Sequence, residues 1–547
     1  MTHPWLASYP EDINWAIKLD PKPLYSIIDE ACSTFANNCA IDFLGKEYSY
    51  STLGKLIDQA ADGLQKNGVK KGVNVGLMLP NCPYYIISYF AILKAGGTVV
   101  NYNPMYALDE LEHQIEDSHT DIMITLNVTA CYPKLGELLP KTRLRKIIVG
   151  KMQDILPFPK NILFSLFKRK DIVTIPDDNN HIMWNDLLTD ADNFTPTPCD
   201  PQNDIAILQY TGGTTGVPKG AALTHHNVYS NAVQCGAWFS QCKDGEEVML
   251  GVLPFFHVFA MTVVMNFSLL KGAKIILHPR FVLEDVIKAI ETKKPTLMPG
   301  VPTMFVAINN YANIDNCDLS SLRSCLSGGA PLPIEVKKTF EAKTGCTVVE
   351  GYGLTESSPV AAANPIVGKN KAGSIGLPFP ATEIKILSTE EEGKWLGIAE
   401  RGEICILGPQ VMKGYWNNKQ ATDDTMFEGA LRTGDIGYID DEGYVFIVDR
   451  LKELIIAGGF NIYPRHVEEA IYEHPAILEA AVIGIPDDYR GQTVKAYIAL
   501  KEGQSLSEDE LLAHLKDKLA KYELPTHIEF RDSLPKTMIG KISKKDL

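Results

Sequence analysis

The sequence has no fixed-period repeat, no low-complexity linker and no Cys/His cluster with the spacing of a zinc site. Its 11 cysteines are irregularly spaced, as at Cys32, Cys39 and Cys82, and no CxxC occurs, which is typical of reduced thiols in a cytosolic protein. Lys and Arg number 52 against 67 Asp and Glu, so the net charge of −15 argues against a protein that mainly neutralises nucleic-acid phosphate. A chain of 547 residues exceeds what one hydrophobic core usually holds, and we predict several domains.

No stretch has the character of a membrane-spanning helix. Residues 248–270 lack Asp, Glu, Lys and Arg, and 23 residues are enough to cross a bilayer. However, Gly251, Pro254 and His257 interrupt the stretch, so it predicts a buried strand, a proline turn and an apolar helix from about Phe259. The first residues show no cationic region leading into an apolar one, and we expect no secretory signal.

Short β-branched runs alternate with amphipathic segments through most of the chain. A helical pattern at 110–118 precedes a strand pattern at 121–126, and a strand pattern at 273–278 precedes a helical one at 282–294. This alternation predicts an α/β fold of layered subdomains with mainly parallel sheets. Beyond about residue 380, short strands separated by Gly and Asp turns predict a small antiparallel β unit.

The residues after about 450 predict a separate, small α+β module. Two strand patterns, AAVIGIP and VKAYIAL, are followed there by a charged helical pattern, SEDELLAHLKDKLAKYELP.

Residues 152–172 combine Pro, aromatic residues and a basic Lys-Arg-Lys run. We expect them to form a solvated or packed surface element, with contact with a membrane surface as the alternative.

The strongest chemical signal is the segment 210–225, YTGGTTGVPKGAALTH, which follows an apolar strand pattern. Its glycines and threonines leave little side-chain bulk, so backbone amides and hydroxyl groups can surround an anion, and Lys219 adds a positive charge. A Walker A loop differs, because its Lys directly follows the last Gly and precedes Ser or Thr. We predict that this loop binds phosphate.

Seven further segments follow the loop in order, namely LPFFHVFAM (253–261), SGGAPLP (327–333), GYGLTESSP (351–359), GYWNN (414–418), RTGDIG (432–437), DRLKELIIAGGFNIYP (449–464) and PKTMIGKI (535–542). With them, nearly the whole chain resembles the acyl-adenylate-forming superfamily of AMP-forming acyl- and aryl-CoA synthetases, luciferases and peptide-synthetase adenylation domains. The resemblance implies that an acid is activated with ATP to an acyl-AMP and then transferred to coenzyme A.

The resemblance also implies an ATP site. Thr211, Thr214 and Lys219 are expected to hold the β- and γ-phosphates, and Thr355 to contact the α-phosphate. Glu356, with Thr214, is expected to bind Mg²⁺, which prefers oxygen ligands. The residues assigned to ATP and AMP are Thr211, Gly212, Gly213, Thr214, Thr215, Gly216, Lys219, Gly329, Ala330, Pro331, Gly351, Tyr352, Gly353, Thr355, Asp435, Arg450 and Lys541.

The nucleoside and the reacting groups have their own expected residues. Residues 329–331 resemble the strip that lines the adenine, with Tyr352 stacked against it. Asp435 is expected to accept both ribose hydroxyls, because a carboxylate offers two acceptor oxygens, and Arg450 is expected to help there. Lys541 resembles the lysine that stabilises charge while the adenylate forms; among the many lysines near the C-terminus, only its PKTxxGK context selects it.

A rotation of the C-terminal domain between the two half-reactions is also implied. The expected divisions are an AMP-binding domain at 1–449, a hinge at 450–452 centred on Lys452, and a mobile domain at 453–547. Gly458 and Gly459 resemble the glycines that let the pantetheine of coenzyme A pass. His257 resembles the histidine between the carboxylate and the thiol tunnel, while a buried core histidine is the alternative reading.

The expected acyl pocket consists of His257, Phe259, Met261, Val263, Val301, Met304, Val360 and Ala361. None of these offers an ionic partner for a polar amino acid, and hydroxycinnamate ligases commonly have Tyr where Phe259 stands. We therefore expect a deep apolar pocket that can select chain length, and the sequence is most similar to bacterial medium- to long-chain fatty-acid–CoA ligases.

Several alternatives share these motifs. They are a 4-coumarate-type aryl-CoA ligase, a fatty-acyl-AMP ligase that serves a carrier protein, a peptide-synthetase module, a luciferase, and a pseudoenzyme that only binds nucleotide or lipid. We expect no carrier domain, because the sequence ends six residues after Lys541, and intact Lys219, Glu356, Asp435 and Lys541 argue against a pseudoenzyme.

The implied small molecules are ATP, Mg²⁺, coenzyme A and a fatty acid, with no nucleic-acid partner. The expected location is the cytoplasm. Contact with the inner face of the membrane and a homodimer are left open.

Overall fold

The computed structural model describes residues 3–211, 218–457, 460–487, 489–537 and 540–547, without the side chains of residues 460 and 461. Two mainly parallel sheets and their helices form most of the protein, and a small antiparallel sheet and a C-terminal α+β unit follow. The predicted α/β fold with a C-terminal α+β domain is confirmed.

The first sheet begins at one edge with an antiparallel hairpin and is parallel beyond it. Its strands, in spatial order, are Gly414–Tyr415, Lys219–Thr224, Ile205–Thr211, Thr98–Asn101, Asn74–Met78, Thr120–Leu126, Lys146–Gly150 and His181–Met183. In the hairpin, Thr211 pairs with Lys219, so the two ends of the glycine-rich loop lie side by side.

The second sheet is parallel in its centre and antiparallel at both edges. Its strands, in spatial order, are Leu377–Pro378, Val360–Ala363, Thr347–Gly353, Ser324–Ser327, Leu297–Gly300, Val248–Gly251, Lys274–Leu277, Cys39–Phe43 and Lys46–Ser49. Several motif segments follow its parallel strands: 328–333 follows Ser324–Ser327, and 354–359 follows Thr347–Gly353. Because the carboxyl ends of parallel strands meet at one edge, these segments are brought together there.

Helices cover both sheets. The largest apolar core is shared by both sheets, and a second cluster joins the helices Leu108–Asp117 and Tyr132–Leu138 to the first sheet. The helices are Ser26–Thr34, Tyr50–Lys66, Pro83–Lys94, Leu108–Asp117, Tyr132–Leu138, Met152–Ile155, Lys160–Phe167, Trp184–Leu187, His225–Trp238, Phe267–Leu270, Leu283–Lys293, Pro302–Asn309, Ile334–Thr344, Lys419–Thr425, Pro464–Tyr472 and Glu508–Lys516, with a π-helix at Ala260–Asn266 and 3₁₀ turns at Pro4–Ser8, Arg169–Asp171, Ile314–Asn316, Thr355–Ser357 and Lys544–Asp546. Helix Pro83–Lys94 is buried on all sides, and the buried ammonium of Lys94 is paired with Asp29 and Asp58 at 2.6 and 2.5 Å.

The two smaller sheets lie one after the other in the chain. The antiparallel unit contains Glu383–Leu387, Trp395–Leu396, Gly402–Leu407, Met426–Phe427, Ala430–Ile439 and Val445–Arg450. The C-terminal sheet contains Ile455–Ala457, Phe460–Ile462, Ile477–Asp487, Gly491–Leu500 and His527–Phe530. The chain passes from one sheet to the other between Arg450 and Ile455, while the predicted domain and hinge boundaries stay predictions.

The apolar stretch 248–270 folds as the sequence predicts. A strand covers Val248–Gly251, and after a turn at Pro254 the π-helix Ala260–Asn266 continues into Phe267–Leu270. Nowhere in the described part of the chain does a helix combine the length and the apolar character needed to cross a membrane.

Candidate active site

The two strands that flank the glycine-rich loop, Ile205–Thr211 and Lys219–Thr224, lie next to the turn Thr355–Ser357, which contains Glu356. The ammonium of Lys219 lies 5.1 Å from the centre of the Tyr415 ring. The Tyr415 hydroxyl donates to Oε1 of Glu356 at 2.6 Å, and the Met412 amide donates to the Glu356 carbonyl at 2.7 Å. The structure therefore brings Lys219 and Glu356 together, and it adds Tyr415, to which we had assigned no role although it lies in the GYWNN motif.

Tyr415 orients one oxygen of the Glu356 carboxylate, and within the described residues the other oxygen accepts no hydrogen bond. Burial, and next the charge of Glu356, raises the pKa of Tyr415, so the phenol stays protonated and acts as a donor. Thr355 and Glu356 open the 3₁₀ turn Thr355–Ser357, which follows strand Thr347–Gly353. Gly353 is required there, because a Cβ atom on it would lie 1.8 Å from the Pro359 carbonyl oxygen.

A second group of polar side chains surrounds Asp435, whose carboxylate is buried. The Tyr352 hydroxyl donates to its Oδ2 at 2.5 Å, and Nε of Arg450 donates to its Oδ1 at 3.1 Å. Asp435 and Arg450 also face each other in the strand pair Ala430–Ile439 and Val445–Arg450. Tyr352 and Arg450, two of the residues predicted for the nucleoside, therefore both contact Asp435. Each oxygen of the Asp435 carboxylate keeps a lone pair for a further donor.

Lys541 reaches this group from the C-terminal unit. A Cβ atom placed on Gly329 would lie 2.9 Å from its Cε, so the lysine side chain crosses the predicted adenine strip at van der Waals distance. The neighbouring Gly540 carbonyl accepts a hydrogen bond from the Thr303 hydroxyl at 2.9 Å. The C-terminal unit therefore places its predicted catalytic lysine inside the site formed by the larger region.

The charges around Lys541 change its proton affinity. Burial, and next the positive charge of Arg450, lowers the pKa of Lys541 to about 8, although the carboxylate of Asp435 opposes this shift. Burial, with a contribution from Lys541, lowers the pKa of His257 to about 3, so the imidazole is neutral at physiological pH. A neutral imidazole and a readily deprotonated lysine therefore lie close to one another.

The apolar residues of the predicted acyl pocket are buried. A cavity of about 10 Å³ lies beside Gly329 and is lined by Leu253, Pro254, His257, Phe259, Ala260, Val301 and Gly329. This volume has room for about one water molecule. Met261, Val263, Met304, Val360 and Ala361 are buried but do not line the cavity. Phe259 contributes to the wall of this cavity, and the deep acyl pocket stays a prediction.

Comparisons with known proteins agree with this geometry. A family model described as AMP-binding enzyme matches residues 28–416, and one described as AMP-binding enzyme C-terminal domain matches residues 466–541. The chain belongs to the AMP-binding enzyme family. A long-chain-fatty-acid–CoA ligase of Bacillus subtilis (strain 168) is 46% identical over 547 residues, which cover 100% of this chain and 97% of the relative. The resemblance to this superfamily is thus confirmed.

Other relatives of this AMP-binding enzyme are named for different acids. A probable 4-coumarate–CoA ligase 1 of Dictyostelium discoideum is 35% identical over 508 residues, covering 92% of this chain and 90% of the relative. The crystal structure of an anthranilate CoA ligase in complex with anthranoyl-AMP has a TM-score of 0.85 at 26% identity and covers 97% of each chain. The fold is shared along the whole chain, including the unit that contains Lys541.

Several predicted residues of the AMP-binding enzyme lie outside the described residues. They are Gly212, Gly213, Thr214, Thr215 and Gly216 of the loop, and Gly458 and Gly459 of the predicted coenzyme A passage. Lys452 lies in the turn between the two sheets, where the Glu453 amide donates to the Arg450 carbonyl at 3.0 Å. It also lies between the two matched family regions.

Arg465, which the sequence did not single out, joins the two regions of this AMP-binding enzyme. Its side chain lies 3.9 Å from the carboxylate of Glu350 and donates to the Ile447 carbonyl at 3.3 Å. Its backbone amide donates to Oδ2 of Asp449 at 3.1 Å, and burial raises the pKa of that carboxyl to about 6. These contacts hold the C-terminal unit in the orientation that keeps Lys541 in the site.

Proposed function

We propose that this AMP-binding enzyme is an acid–CoA ligase whose substrate is a medium- to long-chain fatty acid. In the first half-reaction the fatty-acid carboxylate attacks the α-phosphorus of ATP, the bond to the bridging oxygen breaks, and acyl-AMP and pyrophosphate form. In the second, the thiolate of coenzyme A attacks the acyl carbonyl, and AMP leaves. The observation that carries the proposal is the position of Lys541 beside Gly329 and the Asp435–Arg450 pair.

The phosphate chain of ATP is assigned to the glycine-rich loop. In this proposal, Thr211, Thr214 and Lys219 hold the β- and γ-phosphates, and Thr355 contacts the α-phosphate. The proximity of Lys219 to Glu356 through Tyr415 supports one common phosphate site. Fixed donors and a fixed cation act there without reorganising as charge moves to the pyrophosphate.

Mg²⁺ is assigned to Glu356, together with Thr214. A carboxylate whose second oxygen is not used by Tyr415 is the kind of ligand that this hard cation prefers. When bound, Mg²⁺ neutralises the charge of the phosphates. The residues of the chain keep Glu356 oriented, because the Tyr415 phenol and the backbone of Met412 fix both ends of this residue.

The nucleoside is assigned to Asp435 and its neighbours. Asp435 would accept the two ribose hydroxyls, and its contacts with Tyr352 and Arg450 already fix both carboxylate oxygens. The adenine would lie along residues 329–331, with Tyr352 on its other side. The low bulk of Gly329 lets the base, the ribose and the Lys541 side chain meet at one point.

Lys541 and Lys452 are assigned to the alternation between the half-reactions. A protonated Lys541 would stabilise the negative charge that develops between the carboxylate and the α-phosphate. The C-terminal domain would then rotate at Lys452, withdraw Lys541 and admit coenzyme A past Gly458 and Gly459. His257, neutral and beside the small cavity, would stand between the acyl carboxylate and the incoming thiol.

The fatty-acid assignment is supported by the apolar side chains near His257. Phe259 has no hydroxyl to pair with the phenol of a hydroxycinnamate, and the cavity wall is otherwise formed by Leu253, Pro254, Ala260 and Val301. The name of the Bacillus subtilis relative agrees with this choice. In this proposal the alkyl chain would lie against these apolar side chains.

An AMP-release assay tests the proposal. ATP and Mg²⁺ are supplied with and without coenzyme A, and acetate, octanoate, palmitate, oleate and 4-coumarate are compared. We expect AMP and acyl-CoA to form from the fatty acids, with little turnover of 4-coumarate. Turnover of 4-coumarate alone would favour the aryl-CoA ligase, and acyl-AMP without any acyl-CoA would favour a ligase that serves a carrier protein.

We also propose that the enzyme works in the cytoplasm, in contact with the inner face of the membrane, where long-chain fatty acids accumulate.

The close approach of Gly329 to Lys541 gives a further test. Gly329→Ala is expected to lower adenylate formation by about tenfold or more, because the new methyl group displaces the lysine ammonium from the reacting phosphate. Gly345→Ala is the matched control, since Gly345 also has a positive φ (+73° against +84°) but nothing lies within 4 Å of its added Cβ. Both variants have the same kind of backbone strain, so equal activities in pyrophosphate-release assays would contradict the assignment.

A further inference from the structure

The helix Lys160–Phe167 turns its apolar face away from the protein. Ile162, Leu163, Leu166 and Phe167 recur at helical spacing, and Phe158 precedes them. Phe158, Leu166 and Phe167 are 79%, 67% and 78% exposed, and no residue of this helix is fully buried. We call these five side chains the apolar ridge. A surface helix normally buries its apolar face, so this inverted orientation marks a surface for a partner.

The ridge is held firmly against the protein. Phe164, on the opposite side of the helix, packs against the main core, and Ile155 and Leu156 just before it are buried. The ammonium of Lys160 donates to the Leu44 carbonyl at 2.8 Å, which ties the start of the helix to the turn after strand Cys39–Phe43. The exposed side chains therefore belong to an anchored element.

Basic residues adjoin one end of the ridge. Lys168, Arg169 and Lys170 follow Phe167 directly, and all three are exposed. Lys168 lies 3.7 Å from Asp171, whereas within the described residues neither Arg169 nor Lys170 takes part in an ion pair. In a chain with a net charge of −15, this is a local concentration of positive charge beside an apolar surface.

We propose that the apolar ridge and the basic residues 168–170 dock the enzyme on an anionic lipid bilayer. Apolar side chains that enter the acyl boundary, next to cations that meet lipid phosphates, form the two-part signal of a peripheral membrane element. The charge of residues 168–170 favours an anionic bilayer over an uncharged partner surface. The biological role of this docking rests on the proposed function. A long-chain fatty acid partitions into the bilayer, so an enzyme docked there would lie next to its substrate.

Vesicle co-sedimentation without ATP or coenzyme A tests the docking. The full-length protein is mixed with vesicles of phosphatidylcholine alone and with vesicles of phosphatidylcholine and phosphatidylglycerol in equal parts. Wild type is expected to bind the mixed vesicles and to dissociate as salt is raised. Replacing all three cations (K168Q, R169Q and K170Q together) is expected to weaken this binding by about 100-fold, since each basic residue near an anionic surface strengthens binding by roughly fivefold.

A second variant tests the ridge itself. L166E combined with F167E is expected to weaken binding to the mixed vesicles by about tenfold or more, because it places two charges at the acyl boundary. The matched control is V367E with I398E, which adds the same two charges at exposed apolar side chains elsewhere in the protein. Unchanged thermal midpoints and unchanged turnover of octanoate, a soluble acid, show that the variants are folded and active.

Three results would overturn the docking proposal. The first is that wild type does not sediment with the mixed vesicles, and the second is that the ridge variant sediments as well as wild type. The third is that the protein does not bind vesicles but changes from dimer to monomer in gel filtration with L166E and F167E, which would make the ridge a subunit contact. None of these results bears on catalysis, whereas failure of every acid in the AMP-release assay would refute the proposed function and leave vesicle binding intact.

Discussion

Lys541→Ala is expected to lower the rate of acyl-adenylate formation by about 10²–10³-fold, the usual cost of removing one preorganised charge from such a site. The lysine lies against Gly329, and its proton affinity is altered by Arg450 and Asp435, so its ammonium is placed where the phosphate and the carboxylate would meet. Conversion of supplied acyl-adenylate and coenzyme A to acyl-CoA is expected to be preserved, because in the proposed alternation the lysine is withdrawn during that step.

The two half-reactions are measured separately, by pyrophosphate release and by acyl-CoA formation from synthetic acyl-adenylate. Lys545→Ala is the control, since Lys545 is an exposed lysine four residues away in the same terminal segment. Equal losses in both half-reactions, or the same loss in the control, would contradict the assignment of Lys541 to adenylate formation alone.

The pH dependence gives the same prediction a second readout. With a pKa of about 8, Lys541 is protonated below pH 8 and loses its charge above it. The kcat/KM of adenylate formation, which reports the free enzyme, is therefore expected to fall above that pH by up to about tenfold per unit. Lys541→Arg keeps its charge throughout this range, so its residual activity is expected to lack the alkaline decline.

Local patterns predicted the folding elements well. The strand Val248–Gly251, the helix Leu283–Lys293 and the strand pair Ile477–Asp487 and Gly491–Leu500 form where hydrophobic periodicity places them. The glycine-rich loop also follows a buried strand, as a phosphate loop requires. These features depend on neighbouring residues, and a sequence contains that information directly.

Contacts between distant segments were beyond the reach of these patterns. Tyr415 orients Glu356 across 59 positions, and Arg465 contacts Glu350 across 115 positions, which no periodicity encodes. Lys541 was selected only by resemblance, because one lysine in a lysine-rich terminus has no distinguishing local chemistry. The small cavity beside His257 is likewise lined by segments that are distant in the chain, namely 253–260, Val301 and Gly329, which no local pattern brings together.

Lys452→Pro is expected to have the opposite effect to Lys541→Ala. It should retain most adenylate formation and lower acyl-CoA formation from supplied acyl-adenylate by about 10²-fold, since small misplacements of reacting groups have costs of that size. Proline fixes φ near −65° and restricts the residue before it, so the turn between Arg450 and Ile455 loses the freedom that a rotation needs. Lys452→Ala is the control, because it shortens the side chain but leaves the backbone free to rotate.

The contacts of the present orientation explain why a hinge variant should separate the half-reactions. Arg465 with Glu350 and Ile447, and Thr303 with Gly540, join the C-terminal unit to the larger region while Lys541 is in the site. The proposed rotation at Lys452 would break these contacts, so a restricted hinge is expected to leave the chain in the orientation that we assign to adenylate formation. If Lys452→Pro makes acyl-CoA at the wild-type rate, or if Lys452→Ala is impaired as severely, the rotation takes place at another residue.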